Sequence, residues 1–285
     1  MLEEMTPQTP YECIKKTLRL HIPSELMHHL PDKCEKIGTI VIIKLEKELK
    51  RYKQTIGKAY AEVLGCTTTL NDVGGISGVY RKPAIELIYG STITETIHVE
   101  NGIRFKVDPQ KIMFSSGNMT ERRRMATVAD KNDTVVDLFA GIGYFTLPMA
   151  VYSQPKKIIA CEINPVAFSY LCANIVLNHV SSIVQPLFGD NRTNAPKNCA
   201  DRVILGYLKD SQEYLHVALE CLRNNSGILH YHSLVPIERI PEQPLAHIEN
   251  IVNLYHRSVE LIGVHRIKSY APRIDHLVLD VRILE

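Results

Sequence analysis

Thr134-Val135-Val136-Asp137-Leu138-Phe139-Ala140-Gly141-Ile142-Gly143-Tyr144-Phe145-Thr146 is the stretch whose reading decides the fold. Its β-branched opening reads as a fully buried strand. An acid follows, then Gly-x-Gly, then an apolar run with helical spacing. Two glycines at a strand-to-helix turn let backbone approach a ligand where a Cβ would collide. The helix beyond them aims free N–H groups at whatever sits there. Gly-x-Gly by itself occurs in many tight turns. Thr146 stands where the dinucleotide fingerprint has its third glycine, which tilts the reading from NAD toward S-adenosylmethionine, a nucleoside donor with no pyrophosphate.

Two further strand ends agree. The second strand closes in Ala160-Cys161-Glu162-Ile163-Asn164-Pro165, and an acid at that tip can accept both ribose hydroxyls of a nucleoside lying across the glycine loop. Glu162 could equally be an exposed carboxylate or a helix cap. The third strand closes in Phe188-Gly189-Asp190-Asn191-Arg192, where an Asp can accept from an adenine amino group and the next N–H can donate to the ring; an ordinary Asx turn would look the same. Three such ends in register describe a class I methyltransferase site. Its candidate donor-binding residues are Asp137, Phe139, Ala140, Gly141, Gly143, Glu162, Ile163, Asn164, Asp190 and Asn191. The fourth strand, Val203-Ile204-Leu205-Gly206-Tyr207-Leu208, lacks the Asn/Asp-Pro-Pro-aromatic ending with which many enzymes grip a planar amino nitrogen, so amino-nitrogen methylation loses support. Tyr207 suits stacking on a base and suits an interface in the fold equally.

From about residue 111 strands and helices alternate: strands at 135–139, 157–161, 183–188, 202–205 and 227–231, helices near 145–152, 165–178 and 211–223, then a helix at 246–256 and two closing strands at 263–270 and 276–283. Alternation of this kind predicts an α/β fold, a mostly parallel Rossmann-like sheet covered on both faces, with ligands beyond the carboxyl ends of its strands. Upstream, residues 1–35 read as irregular, with prolines at 7, 10, 23 and 31. A strand at 38–43, a helix at about 47–64 capped by Gly65, and short strands near 67–70, 85–89, 94–99 and 103–107 follow. Asn71-Asp72-Val73-Gly74-Gly75 reads as a break, and Glu100-Asn101-Gly102 as a hairpin turn. The expected division is a small α+β domain over 1–107 and the donor-binding domain over 108–285.

Composition narrows the class. With 285 residues, 45% hydrophobic and 22% charged, the chain suits a globular protein with a full core. No apolar run approaches the roughly 18 residues of a membrane span, and the N-terminus has neither a basic nor an apolar leader segment, so a cytoplasmic protein without membrane partners is expected. The seven cysteines never form Cys-x-x-Cys and read as reduced thiols. The twelve histidines form no ligand-spaced cluster with them, and no metal is expected. A net charge of +2 is too small to indicate nucleic-acid binding globally. Locally, Lys44, Lys47, Lys50, Arg51, Lys53 and Lys58 could meet RNA phosphates, although Glu46 and Glu48 dilute them.

Between the two domains runs Ile112-Met113-Phe114-Ser115-Ser116-Gly117-Asn118-Met119-Thr120-Glu121-Arg122-Arg123-Arg124. A helix over about 120–129 would place three arginines in its first turn, against the dipole preference; that suggests an anionic partner, or else a solvated charged face. Together with Gly78-Val79-Tyr80-Arg81-Lys82-Pro83 and Thr94 to Gly102, this linker and the glycine stretch resemble a tRNA-modifying family over most of the chain. The family contains the guanine-37 N1-methyltransferases of archaea and eukaryotes and the wybutosine-synthesising aminocarboxypropyltransferases. Phe-Ser-Ser-Gly-Asn in the linker and Leu-Gly-Tyr-Leu after strand four resemble the aminocarboxypropyl branch, where the methyltransferases have Phe-Ser-Pro-Arg-Leu and Asn-Leu-Pro.

The resemblance implies an archaeal-type enzyme that moves the 3-amino-3-carboxypropyl group of S-adenosylmethionine, without a metal, to the tricyclic wyosine-type base at position 37 of tRNA-Phe. It further implies that Ser115 and Arg122 help to hold the donor, with Arg122 a partner for its carboxylate. Glu121 falls at the position of the methyltransferases' general base, and Asn118, Arg123 and Tyr207 are candidates for the RNA base. A monomer is expected.

Overall fold

Residues 8–285 are described in the computed structural model of the chain; the start of the leader-free N-terminus, residues 1–7, lies outside them. The chain divides into two compact units, 1–99 with 105–114 and 100–104 with 115–285.

The first unit opens with a helix where irregular chain was expected. α1 (Pro10–Leu18) is set by a capping box: Thr9 accepts from the Glu12 N–H while the Glu12 side chain accepts from the Thr9 N–H. Pro10 sits at the first helical position, where a missing N–H costs nothing. β1 (Glu35–Ile37), β2 (Ile40–Ile43), β3 (Thr68–Ser77) and β4 (Lys82–Gly90) form a four-stranded sheet in that order, parallel only between β2 and β3. The helix expected over 47–64 is a 3-10 segment, Lys47–Tyr52, followed by α2 (Lys53–Leu64), which ends on Gly65 in the left-handed conformation. α1 and α2 supply Ile14, Leu18, Ile56 and Tyr60 to a core shared with Val41, Ile43 and Ile88 of the sheet. The expected break at 71–75 is instead part of β3. The strand shifts register between Asp72 and Ile76, and Asp72 accepts from the N–H groups of Gly74 and Gly75 across the irregularity. β5 (Thr96–Glu100) and β6 (Ile103–Val107) make a separate hairpin whose turn residues Asn101 and Gly102 both have positive φ, as a two-residue turn requires.

The second unit contains α3 (Met119–Met125), β7 (Thr134–Asp137), α4 (Thr146–Tyr152), β8 (Lys157–Glu162), α5 (Pro165–Leu177), β9 (Val184–Phe188), the single turn α6 (Asn191–Asn194), β10 (Arg202–Leu205), α7 (Leu215–Cys221), β11 (Gly227–Pro236), α8 (Glu242–Leu254), β12 (Ser258–Ala271) and β13 (Ile274–Leu284). They build a seven-stranded sheet in the order β12-β13-β11-β10-β7-β8-β9. The five strands from β11 to β9 are parallel, and β13 runs antiparallel to both its neighbours. This is the expected α/β fold. Chain order reverses between β7 and β10, so a crevice opens at their carboxyl ends. Val136, Val203, Leu205, Leu229 and Leu279 of the sheet pack with Leu219 and Ile248 of the helices into one core. β12 is an edge strand whose pairing with β13 is interrupted by three register shifts. No helix among the described residues is long and apolar enough to cross a membrane.

Candidate donor-binding site

The loop between β7 and α4 is shaped by the acid that precedes it. Asp137 is fully buried; one carboxylate oxygen accepts from the Phe139 N–H at 3.2 Å and the other from the Thr146 hydroxyl at 2.7 Å, which clasps both ends of the turn. Burial away from water pushes its carboxyl up to about 6. Inside the clasp Gly141 and Gly143 have φ of 60° and 101°, a region that suits glycine. A Cβ at Gly141 would lie 2.5 Å from the Tyr144 ring, and one at Gly143 2.6 Å from Leu147. The Ala140 N–H donates to the Cys161 carbonyl at 2.9 Å, tying the loop to the neighbouring strand.

Glu162 stands at the tip of β8 beside this loop. One of its oxygens accepts from the Gly141 N–H and the other from the Asn164 N–H, each at 2.7 Å, and burial raises its carboxyl. Asn164 caps α5 by accepting from the Val166 and Ala167 N–H groups, and Ile163 lies half-buried between the two. At the tip of β9 Asp190 caps α6, and its carboxylate also takes the Arg192 guanidinium, Nη2 to Oδ2 at 2.5 Å. Asn191 reaches back to donate to the Leu138 carbonyl at 2.7 Å, while its own side-chain oxygen is buried without a hydrogen-bond partner. Three strand ends are thereby fastened to one another around the glycine turn. Buried acceptors and a backbone cradle that side chains would fill suit a nucleoside with a ribose diol, which is the fit S-adenosylmethionine requires.

Beyond β10, Tyr207 stacks on Phe139 with centroids 4.9 Å apart and planes 13° from parallel, and Tyr214 meets both rings edge-on. Tyr207 therefore has a partner inside the fold. Gly206 lies against the Phe145 ring, whose other neighbour is His232 at 5.0 Å.

The linker residues are placed differently from their reading in sequence. α3 has seven residues, and Arg122, Arg123 and Arg124 occupy its last turn, where the helix dipole favours them, so the expected crowding of a first turn does not occur. Arg122 is 2% exposed. It donates through Nε and Nη2 to the Glu100 carboxylate at 2.9 and 2.6 Å and through Nη1 to the Ser115 carbonyl at 2.9 Å. Glu121 is buried and clamped by Arg124 at 2.7 and 2.8 Å, and burial raises its carboxyl. Arg123 is exposed, and the Asn118 side-chain oxygen is buried without a partner. Ser115 accepts from Lys268 Nζ at 2.9 Å.

Residues 96–262 match the family described as the TRM5/TYW2 methyltransferase domain, and residues 14–94 match the TYW2 N-terminal domain. The chain belongs to the TRM5/TYW2 family. It is 43% identical over 272 residues to the tRNA(Phe) (4-demethylwyosine(37)-C(7)) aminocarboxypropyltransferase of Pyrococcus horikoshii, covering 95% of this chain and 96% of that one. Among solved structures it resembles P. horikoshii TYW2 in complex with MeSAdo, with a TM-score of 0.86 and 40% identity over 96% and 99% of the two chains. It also resembles M. jannaschii TYW2 in complex with AdoMet, with a TM-score of 0.73 and 36% identity over 89% and 100%.

Around the TRM5/TYW2 glycine loop the structure adds residues that the sequence reading passed over. Asn174, fully buried on α5, donates to the Ile142 carbonyl at 3.0 Å and fixes the middle of the loop. Its one signal in sequence is an amide within an otherwise apolar helix. Behind Glu121 runs a polar chain: Arg124 to Asp280, Asp280 to His230 at 2.6 Å, His230 to Arg202, and Arg202 to Asp133 at 3.1 Å. Despite burial, the His230 and Arg124 partners hold the Asp280 carboxyl well below the usual range. On the same strands His232 and His276 touch at 3.0 Å, both almost fully buried. Among the described residues, one group has ligand atoms close enough to suggest a cation, His29 with Glu46 and Glu48 in the first unit; it is largely exposed, and His29 is bonded to Glu46.

Proposed function

We propose that the chain is an S-adenosylmethionine-dependent aminocarboxypropyltransferase acting on the wyosine-type base at position 37 of tRNA-Phe. The observation that carries this reading is the match along essentially the whole length to a relative of that activity, with a first unit of the TYW2 rather than the Trm5 type. All three carbons on a sulfonium are electrophilic, so the pose of the donor decides which one is attacked. In this reaction the acceptor ring carbon bonds to the methionine Cγ and the Cγ–S pair stays on sulfur. Neutral methylthioadenosine leaves, and the ring carbon gives up its proton. The leaving group is activated by its own positive charge, so the protein's main task is to hold donor and base in line.

Several residues divide that task. Glu162 takes the ribose hydroxyls, Asp190 and Asn191 the adenine edge, and Gly141 and Gly143 let the nucleoside lie against backbone. Asp137 acts through the loop it clasps. Asn118 and Arg123 lie on the linker side, toward the RNA base. The enzyme works in the cytoplasm as a monomer, and its form is that of the archaeal relatives.

Donor labelled separately in the methyl group and in the methionine carboxylate tests the assignment in one assay with tRNA carrying the tricyclic precursor. Carboxyl label in the tRNA, with methyl label leaving on methylthioadenosine, is the expected result. Methyl label in the tRNA with S-adenosylhomocysteine as co-product would instead make the chain a guanine N1-methyltransferase.

A further inference from the structure

The second unit does not leave the expected cation open to the donor's carboxylate. Arg122 is buried, with its Nε, Nη1 and Nη2 all engaged by Glu100 and the Ser115 carbonyl. A different cation reaches the same linker. Lys268, on β12, sends its ammonium to the Ser115 hydroxyl at 2.9 Å. Its stem lies along Gly117, where an added Cβ would come within 3.1 Å of both Cδ and Nζ. The glycine of Phe-Ser-Ser-Gly-Asn therefore makes room for this lysine.

Around that ammonium is a group of polar atoms with unused hydrogen-bonding capacity. Lys268 pairs in register with His276 across β12 and β13. His276 is 1% exposed; its Nε2 meets His232, and its Nδ1 is buried with no hydrogen-bond partner. His232 Nε2, equally buried, also has none and lies 3.9 Å from a Glu121 oxygen. The Asn118 side-chain oxygen, at the end of the linker, is a third such atom. Burial leaves both histidines neutral at physiological pH, and the lysine's charge pushes His276 further the same way.

We infer that Lys268, with the Ser115 hydroxyl beside it, holds the carboxylate of the donor's methionine tail, while the uncharged acceptors nearby receive its ammonium. A zwitterionic tail supplies the anion that the lysine lacks and the donors that the orphaned acceptors lack. The inference rests on the donor proposed above and adds the residue that recognises the part to be moved. In an aminocarboxypropyl transfer the carboxylate travels with the group, so Lys268 holds the migrating fragment itself rather than the portion left behind.

Calorimetry in the absence of tRNA separates the possibilities, with S-adenosylmethionine and methylthioadenosine as the two ligands. Methylthioadenosine carries no tail, so its binding also reports that each variant is folded. Lys268 is half-exposed on an edge strand, a position that tolerates substitution. Lys268→Gln is expected to weaken S-adenosylmethionine by about tenfold or more and methylthioadenosine by less than about twofold. Lys268→Arg, which keeps the charge, is expected to recover most of the loss. Unchanged binding of S-adenosylmethionine to Lys268→Gln, or an equal loss for both ligands in a protein that unfolds normally, would overturn the assignment. Neither outcome depends on which carbon is transferred, which the labelling assay reads separately.

Discussion

At the scale of single residues, the donor site is held ready by interactions the chain makes with itself. Glu162 is the plainest case, because the carboxylate proposed to take the ribose hydroxyls already accepts from Gly141 and Asn164. Glu162→Ala therefore removes a charged acceptor from the ligand and a tether from the glycine loop together. A loss of about 1.5–3 kcal/mol in S-adenosylmethionine binding is expected for each charged hydrogen bond removed, measured by calorimetry on protein whose folding is verified by circular dichroism. An unchanged affinity would take Glu162 out of the site. The acid at the tip of β8 was legible in sequence because strand, acid and glycine turn are close neighbours in the chain. Asn174 was not, since its partner Ile142 lies 32 residues away and nothing local requires an amide on that helix.

At the scale of elements, α3 shows what the linker does. Its length of seven residues gives it little stability of its own, and side chains from elsewhere fix it. Glu100, at the end of β5, supplies the carboxylate that holds Arg122, and both side chains are at most 4% exposed. Glu100→Ala would leave a buried guanidinium without its counter-charge, at a cost of about 3–5 kcal/mol. Urea unfolding should show this, and a loss under about 1 kcal/mol would mean that the arginine finds water or another acceptor. In sequence the three consecutive arginines suggested an external anion, because a run of like charge reads as a surface. Their separate fates, one buried on Glu100, one exposed and one clamping Glu121, depend on which side of a short helix each one faces.

At the scale of the whole molecule, the alternation of strands and helices was enough to give the parallel sheet and its switch point, because a buried strand and an amphipathic helix have different periods. Less legible were elements stabilised by their ends or their partners, such as α1 with its capping box among prolines and β3 running on through two glycines. Burial of so many ionisable groups gives the fold a pH dependence of its own. His276 is held down to about 4 by burial, with the Lys268 charge adding to it. The unfolded chain, with an ordinary histidine near 6.5, then binds the extra proton as pH falls between those values, and stability falls with it. The contribution amounts to about 2 kcal/mol lost between pH 7.5 and pH 5. Asp137, raised to about 6, works in the opposite direction, so the comparison that isolates His276 is wild type against His276→Asn. The variant's stability should fall less steeply over that range in thermal unfolding; parallel curves would mean that His276 titrates normally. A last consequence concerns β12, the fourteen-residue strand at the sheet's edge that exposes Leu261, Ile262, Val264 and Tyr270. A straight strand so long and so apolar would invite another chain to zip onto it and grow into a fibril. The shifts at Leu261/Gly263, Arg266/Lys268 and Ser269/Ala271 break its outer row of donors and acceptors into short runs, none long enough to template such growth.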